Sequence, residues 1–307
     1  MELTEIEAFV AIVEHGTFTR AATELHISQP AISRRITLLE SDLGAPVFER
    51  MRQGAVLTEA GAAFLPHAQA ILGRVRDGID AVRALDTHHT GTIDVAMVGT
   101  LASTPIVSGL RTFRERHPLV TLNITTANSS GVGALVRSGK AHLGLRYFKD
   151  GDPGITCHVI GEERLVVVKA SGSRLIPEGP TSITQLAEAP WVTFPLDRAS
   201  SGEGFARLLD SSFQRHGLPL PRRVEIDSLT AQKRMVEADF GLGLLPESAI
   251  IEERQLGTLE VVATAGFVSA APICLLTRDS VHQSRALRSF VELLSMDSAF
   301  PHIPPES

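Results

Sequence analysis

The residues of this chain with the most readable chemistry are Gln29, Ser33 and Arg34, set within Ser28–Thr37 (SQPAISRRIT). A glutamine amide and an arginine guanidinium pair at two points with base edges, glutamine with adenine and arginine with guanine. Ser28, Pro30, Arg35 and Thr37 accompany them, and short hydroxyls and cations suit phosphate oxygens. At about 100° per residue, Pro30, Ser33, Arg34 and Thr37 share one helix face, while Ile32, Ile36 and Leu39 share the other. Gln29 sits at the N-terminal edge, where a recognition helix meets bases.

Such a helix needs a partner that holds it outward. Phe18, Ala21, Ala22 and Leu25 form one buried stripe just upstream, and the two alanines are small enough for a close crossing. His26 and Ile27 leave room only for a short turn. Ser28 then stands as an N-cap and Pro30 lies in the first turn, where its missing N–H costs nothing. Leu3, Ile6, Phe9, Val10 and Val13 predict a further amphipathic helix ahead of the pair. Val47–Gly61 predicts two short strands around Arg52-Gln53-Gly54, a wing that carries Arg50 and Arg52 to phosphate or minor groove. A solvated helical hairpin would share the local pattern; the flanks favour a reader of double-stranded DNA. Against this stands charge. Glu2, Glu5, Glu7, Glu14, Glu24, Glu40, Asp42, Glu49 and Glu59 outweigh Arg20, Arg34, Arg35, Arg50 and Arg52. The basic face is therefore local, and a single copy is expected to bind weakly until a second adds its contacts.

From Leu3 to Gly61 the sequence resembles the N-terminal domain of LysR-type transcriptional regulators. The matching residues are Phe9, Gly16, Phe18, Ala21, Ala22, Leu25, Ser28 to Ser33, Ile36, Leu39-Glu40, Leu43-Gly44, Phe48-Glu49-Arg50 and Leu57 to Gly61. The resemblance extends in length and order over nearly all of the chain. It implies an α/β protein with an N-terminal winged helix-turn-helix (1–58), a linker helix (59–90) and a two-lobed effector domain like a type 2 periplasmic binding protein (91–303). Lobe I would hold 91–161 and 267–303, and lobe II 162–266. It also implies promoter DNA and a small-molecule effector as partners, and a homotetramer built as a dimer of dimers.

The chain has 307 residues, a net charge of −6 and 43% hydrophobic residues, enough for two or three cores in a soluble protein. Its two cysteines, Cys157 and Cys274, lie in apolar strand-like runs and read as buried free thiols, which suits a reducing cytoplasm. No leader peptide and no apolar run of about 20 residues is present, so no membrane role is expected. From Thr58 to about Asp86 the pattern is helical. Phe64, Ala68, Ile71, Val75, Val82 and Leu85 follow heptad spacing with Gly78 in the one gap, flanked by Leu65, Leu72 and Ile79. Pairing with a second copy explains this stripe better than a helix lying on its own domain. Pro66 is expected to kink the helix, and Gly73 and Gly78 to weaken it. His88 and His89 lack further ligands at metal spacing and read as solvated linker.

Strands are expected at Thr92–Val98, Val120–Thr126, His142–Arg146, Arg164–Lys169, Trp191–Phe194, Val224–Ile226, Leu242–Leu245 and Ile273–Thr277, with helices between most of them and a closing helix at Val281–Leu294. This alternation predicts parallel sheets. Ligands of such sheets sit outside the carboxyl ends of the strands. Four loops leave those ends: Gly99–Ser103, Asn128–Ser130, Phe194–Ser201 and Asp227–Thr230. They make Thr100, Leu101, Asn128, Phe194, Ser228 and Leu229 the candidate effector contacts, with Arg146 as a charged fork. Thr100 and Asn128 also align with effector contacts in the regulators that the chain resembles. Helix N-termini at these loops suit an anionic effector. Helix capping is the competing role for Ser129 and Ser130, core packing for Phe194 and Leu229, and a surface ion pair for Arg146. No G-x-S-x-G, H-E-x-x-H or phosphate-loop motif occurs, so neither catalysis, metal nor cofactor is expected. The N-terminal helices and the missing leader argue against a solute-binding protein.

Overall fold

The computed structural model describes residues 1–51, 54–83, 91–149, 151, 154–196, 204–264, 267, 270–279 and 285–295. α1 (Leu3–His15) opens on a capping box in which Glu5 accepts the Glu2 N–H at 2.9 Å, and it ends at Gly16 with φ +74°. α2 (Phe18–Glu24) starts at Thr17, whose hydroxyl accepts the Arg20 N–H at 3.2 Å. α3 (Gln29–Leu43) starts at Ser28, whose hydroxyl accepts the Ala31 N–H at 3.3 Å. Ala21 and Ala22 are buried, so the three helices close tightly around Phe9, Ile12, Ile32, Ile36 and Leu39. β1 (Phe48–Met51) pairs antiparallel with β2 (Gly54–Leu57), Phe48 opposite Leu57.

α4 (Glu59–Arg83) follows directly. The Phe9 ring lies 5.3 Å from both Phe48 and Phe64, tying wing and α4 to the three-helix core. Gly61 makes this start possible: a Cβ there would meet the Val47 carbonyl oxygen at 2.1 Å. Pro66 lies within α4 and does not end it. Arg52, His88 and His89 lie outside the described residues.

The described residues of the remaining chain build one nine-stranded sheet. Its first part is β3 (Gly91–Met97), α5 (Ile106–Arg116), β4 (Val120–Thr126), α6 (Ser129–Arg137) and β5 (Leu143–Tyr147); β3 runs parallel to both β4 and β5. β6 (Ile155–Ala170) follows. The second part is α7 (Ile183–Glu188), β7 (Trp191–Thr193), α8 (Phe205–Arg215), β8 (Arg223–Glu225), α9 (Leu229–Glu237), β9 (Leu242–Pro246), α10 (Ile251–Leu256) and β10 (Leu259–Val261); β7 runs parallel to β8 and β9. β11 (Ala270–Arg278) and α11 (Arg285–Ser295) return to the first part. The strand order is β4-β3-β5-β11-β6-β9-β7-β8, with β10 on β6. Two parallel lobes are thus fused by the antiparallel pair β6 and β11.

The expected strand Arg164–Lys169 is only the second half of β6, which is 16 residues long. Gly161 and the acidic pair Glu162-Glu163 interrupt the apolar pattern of its first half. The lobe I core centres on Phe113 and Phe290, whose rings are 4.5 Å apart. In lobe II, fully buried Trp191 donates its indole N–H to the Leu186 carbonyl at 2.9 Å. Cys157 and Cys274 are both free thiols, on β6 and β11. Burial first, and then the nearby Cys157, pushes the Cys274 thiol up to about 12, which leaves it protonated and unreactive near neutrality.

Candidate nucleic-acid interface and effector cleft

On α3 the inward face holds Ile32, Ile36 and Leu39, and the outward face leaves Gln29, Pro30, Arg34 and Thr37 exposed. Ser33 is half-buried beside them. The hydroxyls have internal partners: Ser28 caps the helix, and Thr37 donates to the Ser33 carbonyl at 3.1 Å. Arg35 leans back toward α1, with Nη1 3.5 Å from the Thr4 carbonyl. Arg34 takes part in no ion pair among the described residues. Gln29 and Arg34 are therefore the two-point hydrogen-bonding groups that α3 presents outward. Arg50 lies on β1 opposite Ala55.

Five of the nine acids in this domain have partners within the fold. Glu2 and Glu5 form the α1 capping box, Glu40 accepts the Val47 N–H at 2.9 Å, and Asp42 pairs with the N-terminal ammonium. Glu14 pairs with Lys140 at 2.6 Å, away from α3. These interactions hold the five carboxylates within the fold, although Glu2 and Glu5 border the same surface hollow as Pro30 and Arg34.

The carboxyl ends of β3, β4, β5, β7 and β8 carry the effector candidates. Thr100 and Leu101 form a 3-10 turn (Gly99–Ser103) after β3. Leu101 is fully buried and packs into the lobe I core. Asn128 caps α6: its Oδ1 accepts from the Gly131 N–H at 2.8 Å and the Ser130 hydroxyl at 3.2 Å. Ser228 caps α9 through the Ala231 N–H at 3.4 Å. Half-buried Leu229 packs into the small lobe II core with Val166 and Val236. Arg146 is buried on β5 opposite Cys274, and its Nε donates to the Tyr147 carbonyl at 3.2 Å.

Four further residues stand at the boundary of the lobes. Tyr147, 3% exposed, directs its hydroxyl at the Thr100 side chain. Burial, and after it the charge of Glu163, pushes its phenol well above the ordinary value. Glu163, 6% exposed, accepts the Ser248 N–H at 3.2 Å, and burial raises its carboxyl above the usual range. The Ser248 hydroxyl faces the same carboxylate. Phe205, at the start of α8, lies 4.9 Å from Tyr147 and 5.7 Å from Phe194. Sequence reasoning passed over these because three of them sit within regular elements, and Ser248 lies in a turn after β9 that carries no pattern of its own. The one available signal was an acid, Glu163, in an otherwise apolar crossing strand.

An exposed reading helix, a wing and two α/β lobes joined by crossing strands are the parts of one known kind of protein, and comparison decides the matter. Residues 3–62 match the family described as "Bacterial regulatory helix-turn-helix protein, lysR family", and residues 86–297 match "LysR substrate binding domain". The chain belongs to the LysR family of transcriptional regulators. Among its relatives is the HTH-type transcriptional regulator TfdS of Cupriavidus pinatubonensis (strain JMP 134 / LMG 1197), 31% identical over 95% of this chain and 97% of TfdS. The RuBisCO operon transcriptional regulator of Allochromatium vinosum is 26% identical over 98% of each chain. Of solved structures, CbnR, a LysR family transcriptional regulator, is 28% identical with a TM-score of 0.56, covering 96% of this chain and 100% of CbnR. Full-length CbnR complexed with its target DNA is 27% identical with a TM-score of 0.59, covering 96% and 99%. The LysR-family chain described here is accordingly a DNA-binding transcriptional regulator whose activity a small-molecule effector modulates. Among the described residues no helix is long and apolar enough to cross a membrane, and no cluster of His, Cys, Asp and Glu could hold a metal ion.

Proposed function

We propose that the outward face of α3 enters the major groove of promoter DNA, with Gln29 and Arg34 on base edges and Ser33 and Thr37 on the adjoining backbone. The exposed, unpaired Arg34 carries this reading. Ser28 and Pro30 fix where the helix starts, Arg35 steadies it against α1, and Arg50 and Arg52 of the wing touch phosphate or minor groove. The domains divide as 1–58, 59–90 and 91–303. Two copies join through the exposed apolar side of α4 to read two half-sites, and two such dimers form the tetramer. The structure of CbnR with target DNA supports a duplex as the partner of this family's reading domain.

The effector lies between the lobes, against Thr100, Asn128, Phe194, Phe205 and Ser228, with Tyr147, Glu163 and Ser248 supplying hydrogen bonds. The first N–H groups of α6 and α9 suit an anionic end of that molecule. Leu101 and Leu229 shape the cleft from the core side, and Arg146 orders the end of β5. The reading needs no catalytic step, and work on chromosomal DNA places the protein in the cytoplasm. Sequencing genomic fragments retained by the purified full chain tests it. A shared inverted motif is expected; retention of unrelated fragments, equally lost on adding salt, would show phosphate binding alone.

A further inference from the structure

α6 joins the carboxyl end of β4 to the linker helix. Its N-cap, Asn128, stands at the carboxyl end of β4, and its far end meets the linker helix α4. Nine residues of helix make a rigid strut about 14 Å long. At the far end, Arg137 Nε donates to Gln69 Oε1 at 3.0 Å, and Arg76 donates to the Ser138 carbonyl. Gly73 of α4 and Gly139 cross with no room for side chains. A Cβ on Gly73 would meet the Arg137 carbonyl oxygen at 2.7 Å, and one on Gly139 would meet Gly73 Cα at 2.9 Å. The buried Arg278 at the end of β11 locks the crossing. Its Nη1 donates to the Val136 and Ala141 carbonyls at 2.6 and 2.9 Å, while Nε and Nη2 grip the carboxylate of Asp77 on α4. Lys140, just beyond, reaches Glu14 of α1 at 2.6 Å.

The residues of α4 that face this lobe are Gln69, Gly73, Arg76 and Asp77. Exposed Val75, Ile79 and Val82 lie about 140° around the helix from them. One side of α4 holds its own effector lobe while the other stays open to a second copy. The latch therefore survives dimerisation, and a movement of α6 reaches the reading domain without breaking the dimer.

We propose that α6 transmits the state of the effector cleft to the DNA-reading domain, and that the Gly73–Gly139 crossing with the Asp77–Arg278 pair is the latch through which it acts. The part concerning the cleft rests on the effector reading above. The latch itself does not. An effector that draws Asn128 toward lobe II shifts the whole strut, and the latch turns that shift into a displacement of α4 and α1.

The test uses the full chain with Gly73→Ala and Asp77→Asn. Gly73→Ala improves helix propensity and wedges the crossing open, so any loosening is not a loss of helix. Gly78→Ala makes the same chemical change with nothing of its own chain within 4 Å, and separates propensity from contact with the effector lobe in the exchange measurement; since Gly78 lies in the stripe that a second copy would cover, it is not a control for affinity. Amide hydrogen exchange across residues 64–83 and affinity for a promoter fragment selected by the parent protein are both measured without effector. We expect Gly73→Ala and Asp77→Asn to speed exchange and to lower affinity by about 5-fold or more, the range of ordinary allosteric coupling. Unchanged exchange in both variants removes the latch. Faster exchange with affinity within about 2-fold of the parent leaves a brace that transmits nothing, and overturns the proposal. If the parent retains no DNA, the functional reading fails, and the exchange arm still decides whether the latch exists.

Discussion

Phe205 and Tyr147 lie ring to ring 4.9 Å apart, one at the start of α8 in lobe II and the other at the end of β5 in lobe I. Phe148, 5.9 Å from the same Phe205, adopts φ +62°, a conformation that an aromatic residue takes only when its surroundings impose it. The lobes thus meet here through a few aromatic contacts beside the hydroxyls of Tyr147 and Ser248. An interface of this kind is weak enough for a small molecule to reset, since a ligand shifts two states only by its preference between them.

The first prediction follows from that contact. Phe205→Ala removes rings from Tyr147, Phe148 and Phe194 together. A half-buried phenylalanine with this many aromatic neighbours is expected to contribute about 2 kcal/mol. Denaturant unfolding should show a loss of that size, and amides of Tyr147 and Phe148 should exchange faster. A loss below about 0.5 kcal/mol would mean that the rings merely adjoin and do not hold the lobes.

Arg34 and Arg52 should separate by the kind of binding they support. Arg34→Ala should cost about 1–3 kcal/mol on the preferred site and much less on sites changed at the base it reads. Arg52→Ala should weaken all sequences alike and flatten the dependence on salt by about one ion. Titration of a mapped site and its single-base variants, at two salt concentrations, measures both. Parent-like binding by both variants removes α3 from the groove.

Glu163 gives a pH signature. Its carboxyl is held above the ordinary value of 4.5 by burial. A group raised in the folded state adds its full stability below the unfolded value, and that contribution is lost as pH climbs through the raised folded value. Glu163→Gln keeps an acceptor for the Ser248 N–H and cannot ionise. The melting temperature of the variant minus that of the parent should therefore be lowest on the acid side and rise with pH. Glu237 and Glu260 are shifted downward, chiefly by hydrogen bonds from Thr258 and Ser171, and act with the opposite sign. Both proteins share them, so the difference isolates Glu163. A difference that stays flat from about pH 4 to about pH 8 contradicts the buried, reluctant carboxyl.

Much of this was legible before the structure, and unevenly so. The reading helix announces itself because its signals are local: a cap at Ser28, Pro30 in the first turn, an apolar stripe at helical spacing. Parallel strands such as Val120–Thr126 show through as continuous apolar or alternating runs. β6 showed only in part, because a strand that crosses between lobes changes its surroundings midway. The four cleft residues Tyr147, Glu163, Phe205 and Ser248 come from three separate strands and helices and one turn. Only the crossing of β6 and β11 brings them together, and no local pattern encodes a crossing. The latch was hidden for the same reason: Gly73 read as a weakness of α4 until Gly139 was found against it.

The heptad stripe of α4 makes the last prediction. Val75, Ile79 and Val82 are 40, 46 and 69% exposed in the single chain, on the side turned away from the effector lobe. Three aliphatic side chains left in water on one helix face forfeit about 25 cal/mol for each Å² that a second helix would cover. Ile79→Asp sets a charge in the middle of that stripe, where a paired helix would have to bury it. It touches no latch residue, so the fold of the chain should survive. Sedimentation should then show a smaller particle than the parent at the same concentration. Affinity for the promoter should fall at least about 100-fold, because one reading helix engages one half-site and loses the contacts of the other. A variant that keeps the parent's mass and affinity would place the second copy on another surface. The heptad would then be the outer face of a helix that serves only its own chain.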